Sequence, residues 1–191
     1  RMWYYSFSTR EQPLPGGGNW SVHLATSTDG LHWEKPALGA FDFYGSRDNN
    51  ICIFEDGSVV TNACAVFDEP HDPDPAKRYK LIYYMPNYYL AYSADGVRWR
   101  KAQEDPVWRN GDGDGLEETF FFMRDRKLGK YRGYMRVWQR HQTIRKTSLG
   151  ESDNLLSWTG PKIIWEAEPT FGLGAQVYGM NVFYDGGLYW A

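Results

Sequence analysis

Three polar residues recur at nearly even spacing: Asn62, Glu118 and Gln176, 56 and 58 residues apart. Each stands at the start of a run that reads as a β-strand. Glu118 follows Glu117 in Leu116-Glu117-Glu118-Thr119-Phe120-Phe121, so strand alternation turns the two carboxylates to opposite sides, and the phase stays open. Two more carboxylates flank the Asn62 strand. Asp48 lies before it in Ser46-Arg47-Asp48-Asn49-Asn50, and Asp68 stands at its far end. Paired carboxyl groups suit glycosidic hydrolysis, where one protonates a leaving oxygen while the other attacks carbon or activates water. The plainer reading makes Glu117 and Glu118 a solvated loop edge, and Asp48 a turn former bonded to its own backbone.

Other side chains could hold sugar hydroxyls or a carboxylate. These are Arg47, Arg124, His141 and Tyr178, with Asp114 on the loop that enters the Glu118 strand. That loop, Asn110-Gly111-Asp112-Gly113-Asp114-Gly115, has oxygen ligands at alternate positions like the first half of a calcium loop. The twelfth position, which calcium loops fill with a bidentate Glu, is Phe121. A Gly-rich loop without a resident metal is therefore expected, with calcium the one ion the string admits. No Cys/His spacing suits zinc.

Composition narrows the partners. The net charge of −3 is spread over interspersed acids and bases, with no basic stripe to track a phosphate backbone, so nucleic acid is not an expected partner. No apolar run is long enough to span a membrane as a helix. Aromatic residues reach 17%, which suits pleated strands and also offers flat faces to sugar rings. The two cysteines flank a predicted hairpin, residues 51–54 with 63–67, whose register does not bring Cys52 opposite Cys64.

The elements that would position these groups come from an internal repeat. Trp33, Trp99 and Trp158 are 66 and 59 residues apart. Each ends the same phrase: a Tyr-rich strand, a second strand closing on Ser27, Ser93 or Ser152, then an Asp-Gly or Asp-Asn turn. A further strand precedes the Tyr-rich one at residues 61–67, 118–123 and 176–184. That makes four strands per copy, as in a β-propeller blade, and assigns the tryptophans to the scaffold. The fold expected is all-β, a β-propeller of four-stranded antiparallel blades, with about three blades present in residues 1–191 and both ends incomplete.

The Ser-x-Asp-Gly-x-x-Trp element after a Tyr-rich strand resembles the five-bladed propellers of glycoside hydrolase families 32, 43, 68 and 117. The string Ser27-Thr28-Asp29-Gly30-Leu31-His32-Trp33-Glu34-Lys35-Pro36, followed by residues 45–51, is similar to bacterial proteins described as family 32-like N-terminal domains. The resemblance covers the whole chain. It implies a carbohydrate substrate, a secreted or periplasmic location, and three acids at the starts of the innermost strands. Glu118 falls where those families carry the general acid. Asn62 stands where they carry Asp, which leaves Asp68 or Asp48 to supply a second carboxylate. The resembling nucleophile or base would lie on a strand preceding Arg1. A carbohydrate-binding propeller without catalysis is the alternative reading.

Overall fold

The computed structural model describes residues 1–9, 14, 19–109, 114–139, 144–168, 172 and 175–191, with backbone alone at 63–64, 114–120, 138–139 and 144. Its repeated turns show how sequence becomes structure. Ser27 Oγ accepts from the N–H of Asp29 and Gly30 at 3.2 and 2.8 Å, while Asp29 Oδ1 accepts from Leu31 and His32 at 2.8 Å each. Ser93 and Asp95 repeat these bonds to Gly96, Val97 and Arg98, and Ser152 and Asn154 repeat them to Leu155, Leu156 and Ser157. The residue after the acid must take positive φ: Gly30 at 77°, Gly96 at 81° and Leu155 at 67°. Glycine adopts that conformation freely, whereas Leu155 is held there by complete burial.

Strands flank these turns throughout. β1 (Met2–Phe7) pairs antiparallel with β2 (Trp20–Ala25). After β3 (Ile53–Phe54), the strands β4 (Ala63–Asp68), β5 (Tyr79–Met85), β6 (Asn87–Ser93) and β7 (Arg98–Lys101) are bonded in chain order, and β3 adds to β7 in parallel. A four-stranded sheet, also bonded in chain order, is built from β8 (Asp114–Asp125), β9 (Lys130–Gln139), β10 (Ile144–Ser152) and β11 (Lys162–Trp165). β12 (Phe183–Asp185) and β13 (Leu188–Trp190) form a final hairpin. The protein is all-β, and two of its sheets contain the expected run of four strands.

Two expectations change. Residues 51–54 do not pair with 63–67: Ile53 bridges Val59 and Val60 N–H bonds Cys52 O at 3.0 Å, so the hairpin closes tightly around residues 55–58. β4 is thereby released to pair with β5. The strand expected over residues 176–184 is also shorter, since β12 begins only at Phe183, leaving Gln176 and Tyr178 ahead of it.

Contacts divide the chain into two units, residues 1–85 with 89–104, and residues 86–88 with 105–191. In the first unit, Val22 and Leu24 of β2 meet Tyr79, Leu81 and Tyr83 of β5 and Trp99 of β7 in one buried cluster that also takes in Cys52. Each such side chain contributes roughly 1.5–3 kcal/mol by leaving water. Strand β5, between β4 and β6, is buried along its first five residues, and all of these but Lys80 are apolar or aromatic. Trp3 Nε1 bonds Gly96 O at 2.8 Å, and a Cβ on Gly96 would stand 2.7 Å from that indole. In the second unit, Trp158 stacks on Trp108 at 5.0 Å and meets Phe122 edge-on at 5.5 Å.

Candidate functional site

The first strand of each run of four, β4 and β8, is bulged near its start. In β4, Ala63 faces Tyr83 but Ala65 faces Ile82, so one extra residue, Cys64, is inserted. In β8, Leu116 faces Val137 and Phe120 faces Met135, so the backbone of Glu117, Glu118 and Thr119 shares the place opposite Arg136. Bulges bend a strand and re-aim its side chains, and they are common beside active sites. The two bulges also break the even spacing read from sequence. Tyr84 N–H bonds Asn62 O at 3.0 Å, and Thr61 Oγ1 lies against Met85 Sδ at 3.9 Å. Counted from Asp68 opposite Tyr79 and Asp125 opposite Lys130, Met85 is the counterpart of Arg136. Thr61, not Asn62, is therefore the ladder equivalent of the Glu117–Thr119 step. Asn62 itself adopts φ 48°, a left-handed conformation that Asn tolerates well, which gives it a backbone reason to be there.

Opposite the β8 bulge, the second unit gathers several polar groups. Strand alternation puts Arg136 of β9 on the same face as its β10 partner Thr147, and Arg145, two residues from Thr147, shares that face. The segment before β12 runs beside them: Val177 N–H bonds Arg145 O at 3.1 Å, and Arg145 Nη1 donates to Gln176 Oε1 at 2.6 Å. The Tyr178 ring lies 4.4 Å from the Arg136 guanidinium and 5.8 Å from that of Arg145. Arg136 is 9% exposed and Thr147 2%, whereas Tyr178 is 66% exposed and Gln176 is open to solvent. The Thr147 hydroxyl has no hydrogen-bond partner among the described residues. The arrangement offers planar guanidinium donors, an amide and an aromatic face, a set able to orient a sugar ring and bond its oxygens.

Of the expected site residues in this unit, Gln176 and Tyr178 come together, and the backbone of Glu117 and Glu118 lies across the ladder from Arg136. The backbone of Asp114 opens β8 opposite Gln139. Arg124 stands toward the other end of β8 over the Tyr131 ring, at 4.3 Å. His141 and residues 110–113 of the calcium-like string lie outside the described residues. Among the described residues, no group of three or more His, Cys, Asp or Glu side chains could hold a metal ion.

The first unit holds the remaining candidates. Asp68 ends β4 in a two-pronged ion pair with Arg78, at 2.9 and 3.2 Å, and both side chains are exposed. It stands about 20 Å along the strand from Asn62 by strand rise. Asp48 N–H donates to Ser46 Oγ at 3.2 Å, so the side chain that shapes this turn is Ser46's, and Arg47 Nη1 donates to Gly39 O at 3.2 Å. A further polar chain joins Ser21 Oγ to His23 Nε2 and His23 Nδ1 to Asn50 Oδ1, each at 2.9 Å. Its order is that of a nucleophile, base and orienter. Ser21 is only 4% exposed, however, and burial lowers the pKa of His23, so the chain reads as a satisfied buried network.

Arg136 and Arg145 were not singled out from sequence. One signal was available: Arg136 stands where the preceding copy has the apolar Met85, a charge inside the run Tyr134-Met135-Arg136-Val137-Trp138. Comparison with family models, with curated proteins and with solved structures gives no match to this chain.

Proposed function

We propose that the sheets are blades of a β-propeller of the five-bladed type, and that the protein hydrolyses glycosidic bonds in an oligo- or polysaccharide. The observation that carries this reading is the bulged start of β8, which puts two consecutive carboxylate residues across the ladder from Arg136, near Gln176 and Tyr178. Glu118 is the proposed general acid, and the aromatic and amide groups hold the sugar. Glu118→Gln keeps the shape of the side chain and removes its proton-donating role, so sugar release should fall at least about a hundredfold while glycan binding persists. The measurement is reducing-sugar release from a polysaccharide panel beside binding on a glycan array. Undiminished release by Glu118→Gln removes Glu118 from the mechanism.

One observation favours the second reading, a carbohydrate-binding propeller without hydrolysis. The ladder equivalent of the Glu117–Thr119 step in the preceding sheet is Thr61, and Asn62 follows it, so neither position offers an acid. Glycan binding by the wild-type protein with no sugar release on any substrate would establish that reading.

A further inference from the structure

We infer that the groove beside Trp33, in the first unit, is a binding site for one ring of a neutral sugar. The inference rests on the proposal that the protein handles carbohydrate, but it uses none of the residues assigned to hydrolysis.

Three copies of one turn treat their tryptophan differently. Trp99 is 1% exposed within the buried cluster of the first unit, and Trp158 is half-buried against Trp108. Trp33 is 39% exposed, although its turn makes the same backbone bonds. The glycines repeat the contrast. A Cβ on Gly96 would meet the Trp3 ring at 2.7 Å, whereas a Cβ on Gly30 would meet nothing within 4 Å. Core packing therefore gives no account of an indole at position 33. Yet the ring is held in place: its Nε1 donates to Gly30 O at 3.1 Å, and Thr26 and Glu34 exchange backbone bonds at 2.9 and 2.8 Å beside it. A ligand that meets a face already fixed loses less entropy in ordering it. The groove lined by Trp33 with Thr26, Ser27, Thr28, His32 and Glu34 has a volume of about 240 Å³. That is below the roughly 300–1,000 Å³ of pockets for drug-sized molecules, and suits a single ring. Hydroxyls, a carboxylate and an imidazole stand around the indole, a set that both donates and accepts, as sugar hydroxyls require. His32 Nδ1 is engaged with Asp29 Oδ2 at 2.7 Å, which leaves Nε2 as the ring nitrogen for a ligand. That bond and the N–H groups of His32 and Leu31 hold the Asp29 carboxyl far below its ordinary pKa, so it stays charged. Glu34 adds a second carboxylate, while Lys35 Nζ stands over the Tyr4 ring instead of lining the groove. An acidic rim opposes uronic and sulfated sugars and favours neutral ones.

The test is a proton–nitrogen NMR titration of the protein with neutral hexasaccharides of glucose, xylose, galactose and arabinose, and with the hexamer of galacturonic acid. It reads the Trp33 indole N–H and the backbone amides of residues 26–34. At least one neutral sugar should move these signals saturably, and the acidic hexamer should leave them in place. Trp33→Ala should weaken the binding read at those amides about ten-fold or more, because it removes the aromatic anchor. Trp33→Phe keeps an aromatic face and should weaken it less. The indole signals of the remaining tryptophans check that each variant folds, and the wild-type titration decides the question without any variant. Shifts confined to the second unit overturn this site and leave carbohydrate binding standing. Movement with the acidic hexamer alone overturns it too. So do shifts at residues 26–34 that follow protein concentration and not sugar, since two copies would then be meeting at Trp33. No shift anywhere in the protein with any sugar overturns both readings.

Discussion

At the scale of single residues, the repeated turn shows how one side chain fixes a backbone. Burial pushes the Asp95 carboxyl upward, but N–H bonds from Arg98 and Val97 and the Ser93 hydroxyl outweigh it and hold its pKa below the ordinary 3.8. A depressed carboxylate stabilises the fold above its unfolded pKa, and that contribution is lost as pH falls through the folded value. The third copy performs the same task with Asn154, which is neutral. Asp95→Asn should therefore keep the turn and cost about 1 kcal/mol at neutral pH. In urea unfolding across pH 2–7, the gap to wild type should close as the pH drops below about 4. A gap that is constant with pH would show that the charge is irrelevant. Leu155 sets two effects against each other. Glycine there would relieve about 1–2 kcal/mol of left-handed strain, but emptying a fully buried leucine site costs roughly 2–5 kcal/mol. Burial wins, so Leu155→Gly should lower stability by a net 1–3 kcal/mol or so in denaturant titration; a stabilised variant would reverse that ranking.

At the scale of elements, the second unit depends on an aromatic ring packed against a strand without a side chain. A Cβ on Gly150 of β10 would stand 1.8 Å from Trp108 Cη2, a distance no repacking of a methyl can absorb. Trp108 is itself buried and stacked on Trp158. Gly150→Ala should thus displace the indole, destabilise the protein by at least about 2 kcal/mol, and weaken the near-ultraviolet dichroism of the tryptophan pair. Unchanged spectrum and stability would mean that the ring is not confined. The four-strand grammar of these sheets was legible because strand alternation, Asp-Gly turns and recurrent tryptophans are local signals. The bulges in β4 and β8 were not legible. An extra residue leaves no mark in composition or alternation until the partner strand is known, and so the even spacing of Asn62, Glu118 and Gln176 suggested an equivalence that the ladders do not keep.

At the scale of the molecule, long-range bonds tie the chain within each unit. Arg1 Nη1 donates to Asp95 O at 2.7 Å and to the Tyr79 hydroxyl at 2.8 Å in the first unit. In the second, the Tyr189 hydroxyl donates to the buried Asp125 at 2.6 Å, and Arg132 joins that carboxylate at 3.2 Å while also bonding Glu151 at 2.9 Å. Burial pushes the Asp125 carboxyl upward, and Tyr189, the Leu128 N–H and Arg132 together hold it below its ordinary value. The final hairpin is thus fastened to a residue 64 positions earlier. Tyr189→Phe removes that single hydrogen bond, so amide exchange across residues 183–190 should speed up severalfold while β8–β10 keep their protection. Uniform acceleration throughout the unit would instead make the bond part of global stability.

The sequence by itself determined the all-β class and the repeated Ser-x-Asp/Asn turns, because each depends on residues a few positions apart. It also brought forward Glu117, Glu118, Gln176 and Tyr178 as residues able to meet a sugar. Only the tertiary structure decided what stands beside them. Arg136 and Arg145 reach Tyr178 through strand pairing and a returning segment, and Asp68 turns out to hold Arg78. Such neighbours are set by ladder register and bulges, which depend on two strands at once and cannot be read from either alone.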